Sequence, residues 1–100
     1  MKEKVGKFIE EKPEYSEILA AAVRVEEDPP EELIRRHGWE WHHVGAHPGR
    51  LTKLVSEGIV RVVSKGRRGT RYKLADREAV ARALADSGSG QNRRAAPRPS

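Results

Sequence analysis

The feature that most constrains this chain is a change of hydrophobic period at Gly58. In the segment RLTKLVSEGIV, Leu51, Leu54 and Val55 recur at helical spacing, which puts them on one face of an α-helix. Gly58 then offers the conformational freedom at which helices end, and the β-branched Ile59, Val60, Val62 and Val63 follow. Gly66 to Gly69 reads as a turn, after which Thr70, Tyr72 and Leu74 alternate with Arg71 and Lys73. The expectation is a helix that runs into a two-stranded hairpin with a basic tip. An isolated hairpin is marginal in water, so the rest of the chain has to supply helices that cover it.

The rest of the sequence has that periodicity. Val5, Phe8 and Ile9 mark a first amphipathic helix that Pro13 ends, and Tyr15, Ile18, Leu19, Ala22 and Val23 continue the period in a second. Asp28, Pro29, Pro30 and Glu31 predict the start of a third helix, with Asp28 as its N-cap, Leu33 and Ile34 on its apolar face and Gly38 as its stop. His47 and Pro48 predict the start of a fourth, about 47–57. Asp76 is placed to cap a last one, with Val80, Ala83 and Leu84 inward. The fold class is therefore α+β, mainly α: a helical bundle with a C-terminal two-stranded hairpin and a terminal helix.

A chain of 100 residues suits one small domain. We place it at 1–86, with 1–12 as an N-terminal helical extension. Residues 87–100, SGSGQNRRAAPRPS, hold no large apolar side chain and read as a disordered basic tail. No internal repeat is visible.

Composition removes several classes of function. The absence of Cys excludes a disulfide framework, a thiolate zinc site and a cysteine nucleophile. The longest apolar run, Ile18 to Val23, is six residues, against about 20 for a membrane-spanning helix. The start MKEKVGKFIEEK has no signal-peptide core. A cytoplasmic, nucleoid-associated protein is the expectation. Gln91 and Asn92 are the sole amide side chains, and with abundant Glu, Lys and Arg this gives a thermophile-like composition.

Charge is polarised along the chain. Residues 1–43 carry seven Lys/Arg and eleven Asp/Glu, whereas residues 44–100 carry thirteen and four, for a net charge of +5 overall. Between residues 50 and 73 there are eight basic side chains against one acidic, Glu57. Such a local excess suits a polyanion, while the acidic first half argues against nucleic acid wrapping the whole surface. It also offers a face for a protein partner.

The order of elements resembles the winged helix-turn-helix DNA-binding family. The likeness covers roughly residues 14–75 and rests on RLTKLVSEGIV, the Gly/Arg turn and TRYKL, which are similar to that family's recognition helix, glycine, strand, wing and strand. It implies a recognition helix about 47–57 in the major groove and a basic wing at 65–70 on the backbone or in the minor groove. The stretch between Gly38 and Leu51 is longer than the family's usual turn and holds Trp39, Trp41, His42, His43 and His47.

On a helical wheel, Gly49, Thr52, Lys53 and Ser56 lie opposite Leu51, Leu54 and Val55, with Arg50 and Glu57 at the borders. That small polar face fits a groove: Lys53 or Arg50 reaches guanine O6 and N7, and Thr52 a thymine methyl. No Asn or Gln is there for adenine, so phosphate contacts supply most of the affinity. The DNA-contacting residues are expected to be Arg50, Thr52, Lys53 and Ser56 on the helix with Lys65, Arg67, Arg68 and Arg71 on the hairpin. The glycines form no P-loop, because GxxxxGK[ST] is missing.

His37, His42, His43 and His47 cluster with Glu40, yet without Cys they match no zinc signature, and we expect them to act as cap, core or phosphate-contacting residues, with no metal and no other cofactor. Trp39 and Trp41 are expected in an extended segment, both buried against the helices. The carboxylate runs Glu10–Glu11 and Glu26–Glu27–Asp28 do not face a common substrate, and neither GxSxG nor HExxH occurs. No enzyme is expected. The leading reading is a duplex-DNA-binding transcriptional regulator or chromosome-associated factor, with homodimerisation through a terminal helix open to it. Two others stand beside it: a protein-interaction module of a replication, repair or transcription assembly, and an RNA or single-strand binder that stacks bases on Tyr72 and the tryptophans.

Overall fold

Two long helices come first, because Pro13 forces a break between two apolar-periodic segments. In the computed structural model, which describes residues 1–67 and 69–86, α1 spans Lys2–Glu11 and α2 spans Ser16–Glu27, joined by a 3₁₀ turn at Pro13–Tyr15. α3 (Glu32–His37), α4 (Trp41–Val44) and α5 (Pro48–Ser56) follow, then β1 (Val60–Gly66), β2 (Gly69–Leu74) and α6 (Arg77–Asp86). The chain is thus a small α+β domain, mainly helical, with an antiparallel hairpin near its end. The tail predicted at 87–100 lies outside the described residues. Among the described residues no helix is long and apolar enough to cross a membrane.

α2 occupies the centre. It buries Ile18, Leu19, Ala22 and Val23 and packs on α3, α4, α6 and β2. α1 presents Val5, Phe8 and Ile9, as its period predicts, and lies along α6. Phe8 meets Tyr15 edge to face, with ring centroids 5.0 Å apart. α6 begins where Asp76 Oδ1 accepts the Ala79 N–H at 3.1 Å, and it buries Val80, Ala83 and Leu84.

α3 starts later than the sequence predicts. Asp28 closes α2 instead of capping α3: its N–H donates to the Arg24 carbonyl at 2.9 Å, and its backbone is non-helical. Pro30 explains the delay, because the residue before a proline is pushed out of the α region, and the helix begins only after the extended Glu31. With six residues, α3 buries Ile34 but leaves Leu33, also expected inward, 53% exposed.

Gly38 turns the chain from α3 toward the hairpin. Its φ of 97° ends the helix, and the next residue, Trp39, pairs with Tyr72 as a one-residue third strand. The Trp39 N–H donates to the Tyr72 carbonyl at 3.0 Å, and the Tyr72 N–H donates back at 2.8 Å. Both rings then lie on one face and stack at 5.5 Å. The Trp39 indole N–H donates to Glu26 Oε2 at 2.8 Å, and the same oxygen accepts the Leu74 N–H at 2.7 Å. One carboxylate of α2 thereby fastens both Trp39 and the end of β2.

The two tryptophans part company. An extended segment would have placed both on one face, but a helix, α4, begins at Trp41, so Trp39 is 0% exposed and Trp41 48%. His43 causes this by accepting the Glu40 N–H on Nδ1 at 2.9 Å, the return half of an N-terminal capping box. Gly45, at φ 67°, ends the turn. His47 then caps α5 as predicted, its Nδ1 accepting the Gly49 N–H at 3.0 Å, with Pro48 at the first helical position.

The period change at Gly58 has a hydrogen-bonded basis. The Gly58 N–H donates to Val55 O at 3.0 Å and the Ile59 N–H to Leu54 O at 3.1 Å, a pair that satisfies the last helical carbonyls and reverses the chain. β1 and β2 then pair from Val60↔Leu74 to Gly66↔Gly69, with an irregularity between Val62 and Ser64. Val63 is left without a cross-strand partner there, as in a β-bulge, and Val62 and Val63 are exposed.

Candidate nucleic-acid interface

α5 turns outward the face that its sequence predicts. Leu51 and Leu54 are buried, Arg50, Thr52 and Ser56 exposed and Lys53 half-buried. The hydroxyls donate into their own helix, Thr52 Oγ1 to Pro48 O at 3.1 Å and Ser56 Oγ to Lys53 O at 2.7 Å, so their lone pairs face outward as acceptors. The Arg50 guanidinium lies over the Tyr15 ring, 5.2 Å from its centroid, with Glu14 at 3.8 Å. Lys53 pairs with Glu57 at 3.2 Å. Exposed pairs of this kind contribute about 0.2–1 kcal/mol, so neither carboxylate holds its cation strongly.

The hairpin differs. Arg61, Lys65 and Arg67 are exposed and form no ion pair among the described residues. Arg61 also lies directly opposite Lys73 across the strands, a like-charge pairing that is unfavourable in isolation and relieved by an outside anion. Arg68, expected at the same tip, lies outside the described residues. Elsewhere, Arg35 and Arg36 are both taken up by Glu32, whose carboxyl they hold below the usual carboxylate range, Arg35 more strongly than Arg36.

Arg71 does not join this surface. Its guanidinium donates to Gly38 O at 2.7 Å and pairs with Glu40 at 3.0 Å, both side chains being about one-fifth exposed. The neighbouring Trp39–Tyr72 pairing is the cause, because it brings residues 38 and 40 alongside Arg71. Arg71, expected as a DNA contact, is engaged by this internal tie in the free protein. Sequence reasoning missed the other half of that tie: it weighed Glu40 only with the neighbouring histidines, and no local spacing signals its pairing with Arg71.

The histidines are spread over separate tasks. His43 and His47 cap helices, while His42 lies edge-on to Trp41 at 5.6 Å and 3.4 Å from Glu40. Among the described residues no three His, Asp or Glu side chains form a group that holds a metal ion. Burial, with the nearby His42 charge second, pushes the His43 pKa below its ordinary 6.5, against the opposing pull of Glu31 and Glu40. The unfolded chain therefore takes up this proton at higher pH than the folded one. The stabilisation from neutral His43 is complete above about pH 6.5 and is lost as pH falls through the lower, folded value. Melting temperatures between about pH 7.5 and pH 5 should fall more steeply for the wild type than for His43→Gln, which keeps a capping acceptor without titrating. Parallel slopes would remove His43 from the acid response.

No protein-family model matches the sequence, and no curated protein or solved structure matches it significantly.

Proposed function

We propose that this chain is a winged-helix protein that binds duplex DNA as a transcriptional regulator or chromosome-associated factor. α5 enters the major groove, and the hairpin acts as the wing on the adjacent backbone or minor groove. The observation that carries this reading is the set of exposed cations Arg61, Lys65 and Arg67, without an ion pair among the described residues, on a hairpin against which α5 packs. α5 adds Arg50 and Lys53 in pairs weak enough to exchange for phosphate. With no Asn or Gln on its exposed face, α5 reads few bases, and phosphate contacts dominate.

The half-exposed Trp41 supports a second reading, in which α4 docks a partner protein or stacks an unpaired base. Amide shift mapping during titration with a random-sequence duplex separates the two. Duplex binding predicts the largest changes at Lys65, Arg67 and Thr70 and along Gly49–Ser56. Changes confined to Trp41 and His42 would support the second reading instead.

A further inference from the structure

We propose that Glu40 is a positioning residue that fixes the hairpin relative to α5, so that a carboxylate strengthens binding to a polyanion. The proposal rests on the duplex-binding reading above and concerns how the free protein is prepared for it.

The outer part of the hairpin has little else to hold it. Of the seven residues of β1, Val60 alone is buried, so beyond that point β1 gains nothing from the core. The outer part of the hairpin depends on what grips β2. Trp39 grips it at Tyr72, and Arg71, one residue closer to the tip, is gripped by Gly38 O and by Glu40 Oε2. The other carboxylate oxygen lies against the start of β2, where a Cβ on Gly69 would stand 3.4 Å from it. Gly69 pairs with Gly66 in the last rung before the turn. The Glu40 side chain thus spans the outer part of β2, from Arg71 to Gly69.

The same residue's backbone anchors the helical side. The Glu40 N–H donates to His43 Nδ1 at 2.9 Å, and its carbonyl accepts the His43 N–H at 3.0 Å, which sets the first turn of α4. α4 leads through Gly45 and Ala46 to His47, the cap of α5. One residue therefore connects β2 to the helix pair that ends in α5. Orienting two binding elements before the encounter lowers the conformational freedom lost on association. The guanidinium fork suits this task, since it spans a carbonyl and a carboxylate at once in a way that an ammonium does not.

Simple electrostatics predicts the opposite sign. Removing a carboxylate beside a basic hairpin raises the local positive potential and, taken alone, tightens binding to a polyanion. The test uses the full chain as wild type, Glu40→Gln and Arg71→Lys. Two properties are read: amide hydrogen exchange of the hairpin without DNA, and the Kd for a random duplex at several salt concentrations, below the melting temperature of every variant. Positioning predicts faster exchange at Lys65, Thr70 and Arg71 in Glu40→Gln. It also predicts a Kd raised about tenfold with the salt slope unchanged, because no phosphate contact is lost. Arg71→Lys, which keeps the charge that a phosphate would feel, should weaken binding in the same way.

Equal or tighter binding by Glu40→Gln overturns the proposal, whether or not the hairpin loosens. A reduced salt slope in Arg71→Lys overturns it too, by making Arg71 a direct phosphate contact. If the wild type binds no duplex, the duplex-binding reading fails, and the exchange data still decide separately whether Glu40 holds the hairpin.

Discussion

Replacing Lys65 and Arg67 together by alanine is expected to weaken duplex binding by about tenfold or more and to lower the salt slope by about two. Both side chains are exposed on the hairpin and have no ion pair among the described residues, so their charge is available to phosphates. The loss should be nearly the same for every sequence, because phosphate contacts carry no base information. Folding should be untouched to within about 0.5 kcal/mol, since neither residue is packed. Anisotropy titrations of several unrelated duplexes, with melting curves alongside, check this. An unchanged Kd in the double variant would take the hairpin out of the interface.

The largest effect on stability is expected from Gly38→Ala. At φ 97° an alanine is already strained, and its Cβ would lie 2.5 Å from the Tyr72 carbonyl oxygen, an approach that real Cβ atoms essentially never show. That oxygen accepts the Trp39 N–H, so relief requires either the helix end or the bridge to move. Either shift disturbs a tryptophan that is 0% exposed and hydrogen-bonded to Glu26. The expected loss is about 3 kcal/mol, or roughly 15 °C in melting temperature for a domain of this size. Gly45→Ala is the control. Its φ is 67°, but a Cβ there meets nothing within 4 Å, so it should lose only about 1 kcal/mol. Similar losses in both would show that backbone conformation, not the close approach to Tyr72, sets the requirement at position 38.

The sequence made legible the elements whose signals are local. Leu51, Leu54 and Gly58 foretell α5 and its end, Asp76 foretells the start of α6, and the alternation after Gly69 foretells β2. The exposed face of α5 follows from the same periodicity. What stayed hidden depends on contacts distant in sequence. Trp39 pairs with Tyr72, 33 residues later, and that pairing separates its fate from that of Trp41 and turns Arg71 inward to Glu40. Asp28 shows a different limit: its residue type and the prolines after it fit an N-cap, yet the restriction that Pro30 places on Pro29 delays α3. What was not anticipated of Gly38 and Glu40 is thus their contacts with Arg71 on β2.

The central claim is that this surface binds duplex DNA through phosphate contacts, and the most direct test is a salt titration of the wild type. Fluorescence anisotropy of a random-sequence duplex is followed at several salt concentrations. A micromolar Kd at low salt is predicted, with log Kd rising against log salt at a slope that corresponds to about four or more phosphate contacts. No binding at low salt would contradict the account and leave the basic hairpin as a docking surface for an acidic protein.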